Sequence, residues 1–122
     1  KTNELKFSGA NQPFYLIRNG ELNITKPNKQ PIGYFEDITL FTTHTYQASK
    51  GDQIILFSDG YKDQFGGAKG KKYMAAKFKK QLLKMSNQPE DQQLAILDQE
   101  FSSWINDYEQ IDDVCVMGVR IS

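Results

Sequence analysis

Lys50-Gly51-Asp52-Gln53-Ile54-Ile55-Leu56-Phe57-Ser58-Asp59-Gly60 joins a turn, an apolar run and an acidic motif within eleven residues. Lys50-Gly51-Asp52 makes a turn. Gln53 to Phe57 then reads as a strand whose near-continuous apolar run expects cover on both faces. Asp59-Gly60 follows it directly, and Asp63 comes four residues after Asp59. Near the other end of the chain, Asp112-Asp113 directly precedes a second apolar strand, Val114 to Ile121. If the two strands are antiparallel neighbours, the end of one lies beside the start of the other. Asp59 and Asp112 then meet at one rim of the sheet. Carboxylates gathered at one rim repel unless a cation neutralises them, and an oxygen-only donor set favours Mg²⁺ or Mn²⁺ over zinc. Taken alone, Asp-Gly after a strand is ordinarily a turn and Asp-Asp before one is ordinarily solvated, so spacing leaves both readings open.

Working outward, the first half reads as strands. Leu5 to Ser8 is short, and Phe14 to Arg18 is apolar and aromatic. Asn19-Gly20 marks a tight hairpin because both turn positions need positive φ. Glu21 to Thr25 returns as its partner, Lys26 to Gln30 is a loop, and Thr39 to Gln47 is rich in β-branched and aromatic residues. The second half changes period. Lys72 to Met85 predicts an amphipathic helix with Met74, Phe78, Leu82 and Met85 on one stripe. Leu94, Leu97, Phe101, Trp104, Ile105 and Tyr108 predict a second, after Pro89. Strands, then helices, then a closing strand give an α+β fold with mainly antiparallel pairing.

Charge is segregated in this half. Between Gln64 and Pro89 there are seven lysines and no acid, and between Glu90 and Asp113 eight acids and no Lys or Arg. Two solvated helix faces that attract each other would explain it. So would a basic surface that meets a phosphorylated or acidic partner. Gly66-Gly67-Ala68-Lys69-Gly70-Lys71-Lys72 fails as a phosphate loop, which needs four residues between its glycines and a hydroxyl after its lysine. It reads as a flexible approach to the lysine helix. His44 has no ligand at metal spacing and reads as a surface strand residue. Cys115, between two valines, reads as a small buried core residue, and Trp104 as core.

Composition bounds the rest. The chain has 122 residues, 39% hydrophobic and 25% charged, with zero formal net charge, which suits one ordinary domain or part of one and argues against a dedicated nucleic-acid binder. No apolar run exceeds four residues, so no membrane-inserted span is expected. One cysteine excludes an internal disulfide and fits a reducing, cytoplasmic setting. The chain opens at Lys1 without a methionine, as an excised piece of something longer would.

Four stretches, Phe7 to Leu16, Arg18-Asn19-Gly20-Glu21 with Pro31-Ile32-Gly33, Lys50 to Gly60, and Asp112-Asp113-Val114, in order and spanning nearly the whole chain, resemble the C-terminal part of metal-dependent type 2C serine/threonine protein phosphatases, more narrowly the bacterial branch typified by the stage II sporulation protein E phosphatase. Phe7-Ser8-Gly9-Ala10-Asn11-Gln12-Pro13-Phe14-Tyr15-Leu16 is similar to the family's Ala-Gly-His-Asn-Pro-Pro strand entry, with Ala10 where the family has histidine. Arg18-Asn19-Gly20-Glu21 and Pro31-Ile32-Gly33 resemble its hairpin and following loop. Lys50-Gly51-Asp52 through Asp59-Gly60 resembles its Gly-Asp strand and Asp-Gly motif, and Asp112-Asp113-Val114 its closing motif. The resemblance implies an antiparallel β-sandwich flanked by helices. It implies Asp59 and Asp112 as ligands of a core Mn²⁺ or Mg²⁺, Asp63 near a weaker additional metal, and Gly60 and Asp113 in support. The implied reaction is hydrolysis of phosphoserine or phosphothreonine on a partner protein in bacterial signalling. A water shared by two metals about 3.5–4 Å apart would attack phosphorus in line.

The family's Asp-Gly-x-Gly motif, whose aspartate bridges both metals, has no counterpart here, because Asp59-Gly60 is the sole Asp-Gly. Residues 1–122 are therefore expected to be the later part of one phosphatase domain, inactive by itself and prone to self-association through uncovered edges. The rival expectation is a non-catalytic interaction module that keeps the scaffold and binds a partner through its lysine-rich region. In the parent protein, sensor domains or a membrane tether would lie upstream.

Overall fold

The computed structural model describes residues 2–122. It divides into two compact units, Lys1–Leu56 with Met117–Ser122, and Phe57–Val116.

In the first unit, β1 is Glu4–Phe7, β2 Phe14–Arg18, β3 Glu21–Thr25 and β4 His44–Gln47. The apolar run after Lys50-Gly51-Asp52 is β5, Gln53–Phe57, and the closing strand is β8, Val116–Arg120. β2 and β3 form the expected hairpin, with Arg18 opposite Glu21. Asn19 and Gly20 turn it at φ 52° and 76°, the left-handed pair that matches the twist of the flanking strands. β5 pairs with the other side of β2, Leu16 opposite Ile54, and the sheet runs β3-β2-β5-β8. β5 and β8 are antiparallel neighbours: the Gly51 N–H donates to the Ile121 carbonyl and the Ile121 N–H to that of Asp52, both at 2.8 Å. A second antiparallel sheet pairs β1 with β4. Phe14, Leu16 and Ile54 pack with Leu5, Phe7, Tyr46 and Ile121 between the two sheets. Phe14 stacks on Phe7 at 5.0 Å and meets Tyr46 at 5.7 Å. Each such side chain fully buried stabilises by about 1.5–3 kcal/mol.

The strand expected over Thr39 to Gln47 is shorter, since only His44–Gln47 pairs. The loop before it claims the missing residues' backbone. Gln30 Nε2 donates to the Thr39 carbonyl at 2.7 Å, the Thr39 N–H donates to Gln30 Oε1 at 3.0 Å, and the Thr42 N–H donates to Asn28 Oδ1 at 2.9 Å. Backbone groups satisfied by side chains have none left for a ladder. The closing strand is also trimmed, to Val116–Arg120, and Met117 and Val119 are exposed rather than covered.

In the second unit, β6 (Phe65–Gly66) and β7 (Lys71–Lys72) form a small antiparallel ribbon. Two helices follow, α1 (Ala75–Ser86) and α2 (Glu90–Ile105). The helix expected from Lys72 begins at Ala75 because the preceding backbone is committed elsewhere. Lys71 and Lys72 pair in the ribbon, the Tyr73 N–H donates to the Gln64 carbonyl and the Met74 N–H to that of Lys62. The glycine-rich segment is thus an ordered ribbon turn, not a flexible approach. α1 buries Phe78, Leu82 and Met85, while Met74 falls outside its stripe and is exposed. Pro89 precedes α2, and Glu90 and Asp91 in its first turn suit the helix dipole. Leu94 is exposed and Tyr108 lies beyond the helix end. Tyr61 is the centre of the ring cluster, near Tyr73, Phe78 and Phe101 at 5.0–5.3 Å, and its hydroxyl donates to the Leu97 carbonyl. Burial, with the Glu100 and Asp98 charges, pushes that hydroxyl's pKa far up. Trp104, expected in the core, is half-buried and joins through Tyr73. Cys115, expected buried, is exposed. Antiparallel sheets together with two helices make the fold α+β.

Candidate functional site

The chain leaves β5 through Ser58, which ties this segment to the approach of the closing strand. The Ser58 N–H donates to the Cys115 carbonyl at 2.9 Å, and the Ser58 hydroxyl donates to the Asp113 carbonyl at 2.9 Å. The same Oγ accepts the Cys115 N–H at 3.0 Å. Ser58 therefore continues the ladder with its side chain where backbone pairing ends. Gly60 follows in the tightest contact of the region, because a Cβ there would collide with the Asp113 carbonyl. Only glycine permits that approach. The two motifs, Ser58-Asp59-Gly60 and Asp112-Asp113, accordingly lie side by side.

The acids themselves are held locally. The Asp63 N–H donates to the Asp59 carbonyl at 3.0 Å, closing a turn. Lys62 sits between their carboxylates, its Nζ 3.1 Å from Asp59 and 3.4 Å from Asp63. Burial works against the Lys62 charge, but the Asp59 hydrogen bond and both carboxylate charges outweigh it and hold the ammonium above the usual lysine range. Asp112 is exposed and turns its Oδ1 back to accept the Asp113 N–H at 2.8 Å, while its carbonyl accepts Gln110 Nε2 at 2.9 Å. Asp113 is also exposed and contributes its backbone to the Ser58 and Gly60 contacts.

The donors are all oxygen, the right kind for Mg²⁺ or Mn²⁺. Their number is too small for a closed, tightly binding site. Among the described residues no three His, Cys, Asp or Glu side chains are gathered closely enough to hold a metal ion. The two acidic motifs lie side by side, and their carboxylates do not form a closed group. Lys62 is the participant that sequence reasoning passed over, although its i,i+3 spacing from Asp59 was a readable signal. His44 lies in the first unit against the Phe7 ring and takes no part.

The solved structures that share the chain's fold are phosphatases, domains of the PP2C type among them. The SiaA-PP2C domain of Pseudomonas aeruginosa matches with a TM-score of 0.86 at 23% identity, over 98% of this chain and 47% of that one. A Bacillus subtilis SpoIIE structure, comprising the PP2C domain and a fragment of the regulatory domain, gives 0.73 at 21% identity, over 98% and 34%. The Mycobacterium tuberculosis serine/threonine phosphatase PstP/Ppp gives 0.56 at 17%, over 98% and 55%. The family model of stage II sporulation protein E (SpoIIE) matches residues 1–122, and the chain belongs to that family. No curated protein sequence matches it. The chain spans about half or less of the length of these solved relatives. No helix among the described residues is long and apolar enough to cross a membrane.

Proposed function

We propose that residues 1–122 are the later part of one protein phosphatase domain and supply one side of its metal site. Asp59 and Asp112 would be the core ligands, Asp63 the acid beside a weaker position, and Gly60 and Asp113 the backbone support. The observation that carries this reading is the lacing of Ser58-Asp59-Gly60 to Asp113 and Cys115, which puts both acidic motifs in one place. The ion would be Mn²⁺ or Mg²⁺, in keeping with the oxygen donors; one Bacillus subtilis SpoIIE phosphatase-domain structure was presoaked with Mn. The remaining ligands, the bridging aspartate among them, would come from outside these residues. The substrate would be a phosphoserine or phosphothreonine protein of a bacterial signalling pathway, in the cytoplasm, and the chain would also associate with itself.

The 122 residues alone are then expected to show little or no phosphatase activity. Hydrolysis of p-nitrophenyl phosphate with Mn²⁺ tests this. Background turnover agrees with the reading, whereas robust turnover abolished by Asp59→Asn would show that this part carries a complete site. The second reading, a non-catalytic module, draws support from Lys62, an ammonium already compensating Asp59 and Asp63.

A further inference from the structure

Lysines surround the β6–β7 ribbon and continue onto α1. Lys69, Lys71, Lys72, Lys77 and Lys80 are all exposed, and among the described residues none of them makes an ion pair. No acid interrupts the segment between Gln64 and Pro89. Like charges gathered without counter-charges repel one another. Lys84, one turn beyond Lys80, lines a groove between α1 and α2 that Glu100 also lines.

The ribbon is held in a single shape. The Gly67 N–H donates to the Trp104 carbonyl at 2.8 Å, and the Trp104 indole N–H donates to the Gln64 carbonyl at 2.8 Å. Gln64 is fully buried, and its Nε2 donates to the Phe65 and Glu109 carbonyls at 2.9 and 2.8 Å. Lys77 places its ammonium 3.9 Å from the Trp104 ring centroid and 5.0 Å from that of Tyr73. Lys72 lies 5.8 Å from the Phe65 ring. These contacts fix the ribbon and the ammonium groups of Lys72 and Lys77 before anything binds, which reduces the entropy lost on association.

We propose that Lys69, Lys71, Lys72, Lys77 and Lys80 form a docking surface for a short acidic segment of a partner protein. Its length is bounded by neighbouring charge. The segment from Glu90 to Asp113 carries eight acids and no Lys or Arg, and Glu100 reaches the Tyr73 hydroxyl at 3.0 Å. An extended polyanion such as a nucleic acid would meet this acidic side, whereas a short acidic stretch ends before it. A bilayer is a poor match as well, because the apolar stripe of α1, Phe78, Leu82 and Met85, is buried, which leaves only Phe65 and Met74 exposed beside the lysines. The docking is independent of the metal site and requires no turnover.

Fluorescence anisotropy with the 122-residue chain tests the proposal. The probes are a labelled Asp/Glu-rich peptide of about twelve residues, a single-stranded oligonucleotide of similar length, and vesicles containing phosphatidylserine. The peptide is expected to bind best, with affinity falling as salt rises. Combined Lys69→Glu, Lys71→Glu and Lys72→Glu should weaken it about tenfold or more, and the same three positions changed to Gln by about threefold. Combined Lys26→Glu, Lys29→Glu and Lys50→Glu should change it by less than about twofold, and circular dichroism should show all variants folded. Absence of peptide binding, equal losses in the ribbon and control variants, or tighter binding of the oligonucleotide or the vesicles would overturn it.

Discussion

Asp52 is a buried carboxylate that the fold keeps charged. Arg18 grips it from two nitrogens at 2.8 and 2.6 Å, and the Ser49 N–H donates to it at 2.7 Å. The Arg18 hydrogen bonds hold its carboxyl below the usual carboxylate range, against the opposing effect of burial. The unfolded chain therefore takes up a proton at a higher pH than the folded one. The stability that this pair contributes is complete above the ordinary carboxylate value of about 4 and is lost as pH falls through the lowered folded-state value. Urea melts from pH 7 to pH 3 should show a steep acid loss in the wild type and a shallower one in Asp52→Asn, which starts less stable. Parallel profiles would mean that Asp52 is not the group responsible. The sequence placed Asp52 in a Gly-Asp turn but gave no hint of Arg18, because that contact depends on how β2 and β5 pair.

At the scale of elements, the junction of the two acidic motifs depends on one absent side chain. In Gly60→Ala the new methyl would strike the Asp113 carbonyl, so one of the two turns must move. A cost of about 2–3 kcal/mol is expected in denaturant melts, in the range of overpacked sites. A loss below about 0.5 kcal/mol would show that the turns move apart freely. Legibility in the sequence varied among elements for a physical reason. The β2–β3 hairpin was readable because Asn19-Gly20 encodes it within two residues. The start of α1 and the start of β4 were not, because Gln64, Lys62, Gln30 and Asn28 take the deciding backbone hydrogen bonds from a distance. Of the candidate site, the meeting of the two acidic motifs was legible from strand ends, and Lys62 between Asp59 and Asp63 gave only the signal of its spacing. The exposure of Cys115 was hidden because its valine neighbours imitate a buried strand.

For the molecule as a whole, the first unit carries an apolar segment in contact with water. Ile32, Tyr34 and Leu40 are 87%, 94% and 95% exposed, and Ile38 is exposed as well. Apolar side chains grouped in this way usually mark an interface. β3 and β8 are the edges of the larger sheet, and an edge is a template for another strand. Light scattering at about micromolar concentration should therefore find a species of at least twice the 14.0 kDa chain mass. Combined Ile32→Ser, Tyr34→Ser and Leu40→Ser should shift it toward the monomer. A wild-type monomer at every concentration would refute self-association.

If Asp59 and Asp112 are ligands on one side of a metal site, a Mn²⁺ titration followed by electron paramagnetic resonance will register both. Free Mn²⁺ gives a sharp signal that bound ion loses, so occupancy is read without any catalysis. The wild-type chain should bind one ion weakly, with Kd on the order of 0.1–1 mM, as for sites with few carboxylates. Asp59→Asn and Asp112→Asn should each weaken it at least about tenfold, and Asp107→Asn should leave it unchanged. Wild-type binding that is absent at millimolar Mn²⁺, or indifferent to Asp59 and Asp112, would contradict the account.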